Sequence, residues 1–192
     1  LLVEGPSELM LFDRILSYIS PYYEANGNYI LAVNGVGFSR YCKILSSLKI
    51  DWIVKTDNDL HSKKNTTSSD NDIANANNES SNNNNKLYYT EGFNRCNKLI
   101  GEDKLPLLHY KNNNKTSRKD AYKKCKDLLD KIRKENHIFL SKIDLENDLY
   151  EVLGKKLCDY FNIKKDAIKH LQRSKSFHMA DLVRVITNED CR

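Results

Sequence analysis

Three short apolar runs, each broken off by a polar or acidic residue, constrain this chain most. LLVEG opens it as a strand ending at Glu4, YILAVNG is a second strand closed by Asn34-Gly35, and DWIVKTD is a third ending at Asp57. Between the first two lies SELMLFDRILSYIS, with Leu9, Leu11, Phe12, Ile15, Leu16 and Ile19 at helical spacing, Ser7 in the N-cap position and Pro21 as the stop. Between the second and third lies FSRYCKILSSL, whose Tyr41, Ile44, Leu45 and Leu48 share a face. The order is β-α-β-α-β. Strands this apolar do not suit a sheet with one wet face, and they predict a parallel sheet with helices on both sides. In such sheets the functional crevice lies outside the carboxyl ends of the strands, where Glu4, Asn34-Gly35 and Asp57 all fall.

The remainder of the 192 residues is more helical. Residues 61–86 are Asn/Ser-rich and nearly free of apolar side chains, so burial there cannot offset the entropy of ordering, and they read as a disordered surface insertion. TEGFNRCNKLIG reads as a helix. SRKDAYKKCKDLLDKIRKEN follows as a basic helix with Ala121, Cys125, Leu128, Leu129 and Ile132 as its buried stripe. A short strand, Ile138–Leu140, then turns into a helix with Asp144 or Asp148 near its start. DAIKHLQRSKSFHMADLVRVI reads as two short helices divided near Ser174. The expected organisation is one α/β domain over 1–60 and 87–155, the insertion at 61–86, and a C-terminal helical part over 156–192.

Composition removes several classes of function. The five cysteines are scattered and form no C-x-x-C pair, which argues against a disulfide framework or a zinc knuckle and points to a reducing cytoplasm. The histidines show no H-x-H or H-E-x-x-H spacing. No apolar run approaches the ~20 residues of a membrane span, and the start LLVEGPSE has neither a basic n-region nor an initiator Met, so the chain reads as the C-terminal part of a longer protein. A net charge of +5 permits a polyanionic partner without demanding one.

Acids are where the chemistry concentrates. Glu4 ends one strand and Glu8 lies in the first turn of the next helix; Asp57 ends another strand and Asp59 follows in the loop; Asp144, Glu146 and Asp148 cluster later. Hard divalent cations take oxygen ligands, and two ions about 4 Å apart can stabilise the attacking and leaving oxygens of a phosphoryl displacement. If the first and third strands are neighbours, their carboxylates meet at one edge of the sheet. Taken singly, each acid also has an ordinary explanation as an N-cap or a solvated charge. NGVGF at 34–38 lacks the G-K-[ST] of a P-loop and reads as a tight turn at a strand end. The basic run around Lys119–Lys126 reads first as a solvated face, since Asp120, Asp127 and Asp130 interleave with it, and second as a contact for a nucleic-acid backbone.

VEGPSE, followed about fifty residues later by IVKTDND, resembles the TOPRIM domain of topoisomerases, bacterial primases and OLD-family (overcoming lysogenization defect) nucleases. Within that group VEGPSELMLFDRIL, VNGVGFSRYCKIL, WIVKTDND and IFLSKIDLENDLYEVL are most similar to the OLD family, which includes the nuclease subunit of Gabija anti-phage systems. The resemblance implies a TOPRIM (Rossmann-like) α/β fold and a metal-dependent DNA endonuclease using Mg²⁺ or Mn²⁺ in a two-metal site. It implies Glu4, Glu8, Asp57, Asp59 and Glu146 as ligands, with Asp144 the neighbour to test beside Glu146. Glu4 and Asp57 carry catalysis in this reading, together with a lysine that stabilises charge at the scissile phosphate; Lys175 matches best, with Arg173 and Lys142 as alternatives. The implied partners are DNA, an N-terminal ABC-type ATPase domain in the same protein, a second copy of the chain, and a helicase; no membrane is implied. No tyrosine stands in the setting of a topoisomerase nucleophile. Two other functions compete: a non-catalytic TOPRIM module that binds nucleic acid or docks a partner, and a primase- or topoisomerase-like nucleotidyl transferase.

Overall fold

A computed structural model describes residues 1–63 and 86–191. Residues 64–85 of the expected insertion lie outside the described residues. The chain is α/β, with β1 (Leu2–Val3), α1 (Pro6–Ile19), β2 (Leu31–Ala32), α2 (Phe38–Ser47) and β3 (Val54–Thr56) in the expected order. With β7 (Ile138–Leu140) these strands form a wholly parallel sheet of order β2-β1-β3-β7. The central strands are sealed on both faces, Val3 and Val54 being fully buried, which is why their sequences run apolar without alternation.

Helices cover the two faces with separate cores. Leu2, Val54 and Ile138 pack with Phe38 and Cys42 of α2, with Phe93 and Cys96 of α3 (Glu91–Ile100), and with Ala121, Leu129 and Ile132 of α4 (Lys115–Lys124) and α5 (Lys126–Asn136). On the opposite face Leu11 of α1 packs with Leu145 and Leu153 of α6 (Leu145–Leu153), Leu157 of α7 (Lys156–Tyr160), Leu171 of α8 (Ala167–Arg173), and Met179 and Leu182 of α9 (Lys175–Val185). The C-terminal helices therefore share a core with the first helix of the chain. Burying each such side chain stabilises the fold by roughly 1.5–3 kcal/mol. No helix among the described residues is long and apolar enough to cross a membrane.

Several local expectations need correction. The basic helix is two helices joined at Cys125, where φ −114° and ψ 18° break the α path, and Leu128 is exposed rather than part of the buried stripe. On α2 the buried face is set by Phe38 and Cys42, leaving Ile44 and Leu48 exposed. The polar segment begins later than expected, because β4 (Leu60–Lys63) pairs antiparallel with β5 (Leu87–Thr90), which pairs with β6 (His109–Tyr110). His61, Tyr88 and Tyr89 gain cross-strand partners there that a composition argument does not register.

Candidate metal centre

Strand alternation sorts the acids before any side chain does. Successive residues of a strand point to opposite faces, so Leu2 and Glu4 lean toward α3 while Asp57, after β3, leans toward α1 and α9. β1 and β3 are neighbours, with Leu2 opposite Val54, and this brings both acids to one edge. Oε1 of Glu4 accepts hydrogen bonds from the Asp57 amide (2.9 Å), the Thr56 hydroxyl (2.5 Å) and Nη1 of Arg95 (3.0 Å). Gly35 closes the adjacent strand end: Asn34 takes φ 53°, Gly35 takes φ 133°, and the Gly35 N–H donates to the Glu4 carbonyl at 2.8 Å. The tight turn expected of NGVGF is in place.

Arg95 belongs to no motif that the sequence displays. It is only 7% exposed, and besides Glu4 it holds Oδ2 of Asp59 (2.8 Å), the Asp57 carbonyl (3.2 Å) and the Thr56 hydroxyl. One signal could have found it: an arginine set between Phe93 and Cys96 on the apolar face of a helix. A guanidinium in such a position requires carboxylate partners.

The second group gathers around Asp57. Its carboxylate is 8% exposed and its Oδ1 accepts from the Ser141 hydroxyl at 3.1 Å. Lys55 donates to the same hydroxyl and pairs with Asp148 at 3.2 Å. Burial pushes the Asp57 carboxyl up to about 7; Glu4 and Glu8 add repulsion, while Lys55 and Lys175 pull the other way. Glu8, the third residue of α1, accepts the Gly5 N–H at 3.1 Å. Its carboxyl is also raised by burial, with Glu4 and Glu146 repelling it against a backbone hydrogen bond and Lys175. Glu146, 1% exposed, lies beneath Lys175, whose Nζ is 3.1 Å from Oε1 and 3.4 Å from Oε2. Burial disfavours the Lys175 cation, yet Glu146, Asp57 and Asp144 together hold its pKa above the ordinary value.

The structure thus brings Glu4, Glu8, Asp57 and Glu146 into one charge-coupled group with Lys175 and turns Asp59 toward Arg95. Asp144 does something else: it caps α6, accepting the Asn147 N–H at 2.9 Å, and also takes the Gln172 amide at 3.0 Å. Lys142 is paired with Glu151, and Arg173 makes no ion pair among the described residues. Of the three basic alternatives, Lys175 is the one set against the acids. No three His, Cys, Asp or Glu among the described residues converge closely enough to hold an ion as they stand. The donor chemistry nevertheless suits a hard divalent cation: all the donors are carboxylate oxygens, and their mutual repulsion is what a dication relieves.

The same fold and strand-end motifs recur in known proteins. Residues 1–59 match the family model for the overcoming lysogenization defect protein-like TOPRIM domain. The whole chain aligns with Endonuclease GajA of Bacillus cereus (strain VD045), 36% identical over 202 residues, and covers 32% of that protein. The chain therefore spans about a third of the length of that relative. In fold it is similar to the C-terminal region of the Burkholderia pseudomallei OLD protein (TM-score 0.61, 16% identity, 99% of this chain and 89% of that one). The corresponding region of the Xanthomonas campestris pv. campestris OLD protein is also similar (TM-score 0.57, 15% identity, 100% and 86%).

Proposed function

We propose that this chain, whose first 59 residues match the family model for the OLD-like TOPRIM domain, is a divalent-metal-dependent endonuclease domain that hydrolyses phosphodiester bonds in DNA. The observation that carries the reading is the meeting of Glu4 and Asp57 at the carboxyl ends of adjacent parallel strands, with Asp57 buried and raised to about 7. A carboxylate so burdened is an incomplete electrostatic arrangement. Glu4, Asp57 and Asp59 would hold one Mg²⁺ or Mn²⁺, and Glu8 with Glu146 a second. The bound ions supply Lewis acidity and a water nucleophile at neutral pH.

The chain's own groups do the rest. Glu4 and Asp57 would hold the ions at the carboxyl ends of β1 and β3, where the Asp57 amide already fixes the Glu4 carboxylate at 2.9 Å. Arg95 keeps Glu4 and Asp59 in place from the α3 side. Lys175, half-exposed at the start of α9, presents its ammonium to the negative charge that grows on the phosphate oxygens. In this assignment residues 1–60 and 87–155 form the nuclease unit, and 156–192 form the helical part that delivers Lys175. The GajA relative supports the reaction class, and its greater length supports an ATPase region elsewhere in the protein. Work in a reducing cytoplasm and a part in anti-phage defence belong to the same proposal.

The test is plasmid cleavage by the full-length protein carrying this chain. Mg²⁺ or Mn²⁺ should permit nicking or linearisation, EDTA should stop it, and Glu4→Ala and Asp57→Ala should each reduce it by about a hundredfold or more. Variants that cut as well as the parent overturn the site.

A further inference from the structure

Outside the acid site, α4, α5 and α6 enclose a long open groove of about 1150 Å³, and its charge is lopsided. Arg133 and Lys142 line it but are answered by Asp130 and Glu151. Lys115, Lys119, Lys123 and Lys126 also line it, all four are exposed, and none has an ion-pair partner among the described residues. The interleaved acids expected to neutralise this run do not reach these four: Asp130 is taken by Arg133 at 3.2 Å. The four-residue spacing of Lys115, Lys119 and Lys123 keeps them on one stripe of α4, and Lys126 opens α5. The bend at Cys125 does not remove Lys126 from the groove.

The groove is tied to the acid site by covalent and hydrogen-bonded neighbours. The carbonyl of Arg118, beside Lys119, accepts the Asn58 side-chain amide at 3.2 Å, and Asn58 stands between Asp57 and Asp59. The Arg118 guanidinium lies 3.9 Å from Asp144. Across the groove, Ile143 and Asn147 in the lining flank Asp144 and Glu146 in sequence. Within α4, from Lys115 to Lys123, the stripe covers about 12 Å at a helical rise of ~1.5 Å per residue, and Lys126 continues it past the bend. Over that length one strand of duplex DNA presents a phosphate per ~3.4 Å of axis, so each lysine has a phosphate to meet.

We infer that this groove is a track for the sugar-phosphate backbone of duplex DNA, engaged through Lys115, Lys119, Lys123 and Lys126, and that it feeds the duplex to the acid site. The inference rests on the nuclease reading for its purpose, but not for its test. Binding of a fluorescein-labelled duplex of about 30 base pairs is measured in EDTA across a salt series, using the full-length protein. The groove variant carries Lys115→Ala, Lys119→Ala, Lys123→Ala and Lys126→Ala. The control carries Lys43→Ala, Lys134→Ala, Lys164→Ala and Lys165→Ala, an equal reduction in charge placed elsewhere on exposed residues. The groove variant should bind more than about tenfold more weakly, and its salt slope should fall by about four, one for each phosphate no longer neutralised. The control should keep the parent slope, and both variants should keep the parent Tm, since all eight sites are exposed and those within helices are ones that alanine suits. Equal weakening in both variants, parent-like binding by the groove variant, or no duplex binding by the parent overturns the inference. A parent that binds through these lysines yet leaves plasmid intact with Mn²⁺ keeps the groove and removes the nuclease reading; a parent that cuts while both variants bind alike does the reverse.

Discussion

Glu4 and Asp57 are joined by a hydrogen bond of 2.9 Å, yet their surroundings differ in charge. Glu4 has a buried guanidinium beside it, whereas Asp57 is buried against a hydroxyl, with Lys55 and Lys175 opposing the repulsion of Glu4 and Glu8. A carboxyl whose folded pKa is raised stabilises the fold when protonated, and that contribution disappears as pH rises through the folded value. For Asp57 the decline runs from the ordinary aspartate value of 3.8 up to about 7. In EDTA the Tm of the parent should therefore fall as pH rises toward 7, and Asp57→Asn should flatten that part of the profile and raise the Tm above it. Arg95→Met is expected to act in the opposite direction, leaving Glu4 and Asp59 without their counter-charge at the edge of the core. Breaking such a pair costs about 3 kcal/mol, readable by urea unfolding in EDTA. Glu4, Asp57 and Asp59 were legible because each lies at or just beyond the end of an apolar run. Arg95 was hidden because its role depends on a partner 91 residues away.

At the scale of elements, the strands and most helices followed from periodicity and from stops such as Pro21 and Gly101, the latter closing α3 at φ 78°. What periodicity could not supply was partnership. The β4-β5-β6 sheet has few apolar residues and exists through pairings on either side of residues outside the described part. The exposure of Ile44, Leu48 and Leu128 likewise depends on which neighbours arrive. One close approach joins an element to the site. A Cβ on Gly92, in the first turn of α3, would lie 2.9 Å from the Asn58 Cα and 3.0 Å from the Asp57 carbonyl oxygen. Backbone cannot yield as a flexible side chain would, so Gly92→Ala should destabilise the protein by about 1–3 kcal/mol. It should also lower metal-dependent cleavage beyond what the reduced stability explains, because it pushes on the loop that carries Asp57 and Asp59.

The whole molecule joins its first helix to its last. Leu11 of α1 and Met179 and Leu182 of α9 lie in one core, so the helix that presents Lys175 is seated on the helix that presents Glu8. Leu182→Ala should cost about 2–5 kcal/mol in unfolding experiments. Lys175→Ala removes the counter-charge of the buried Glu146, so it should destabilise the protein by about 1–3 kcal/mol, while Lys175→Arg, which keeps the charge, should stay near the parent stability. The alanine variant should abolish cleavage even where it is fully folded. Residues 156–192 read in sequence as a distinct helical part, and no local pattern in them announces the shared core, since its contacts span most of the chain. The central question for the molecule is whether the strand-end acids bind a divalent cation. Calorimetric titration of Mn²⁺ into the full-length protein and its Asp57→Asn variant asks this without relying on catalysis. Saturable binding by the parent, weakened more than about tenfold in the variant, is the predicted result; equal affinity in the two proteins, or no binding by the parent, would contradict it.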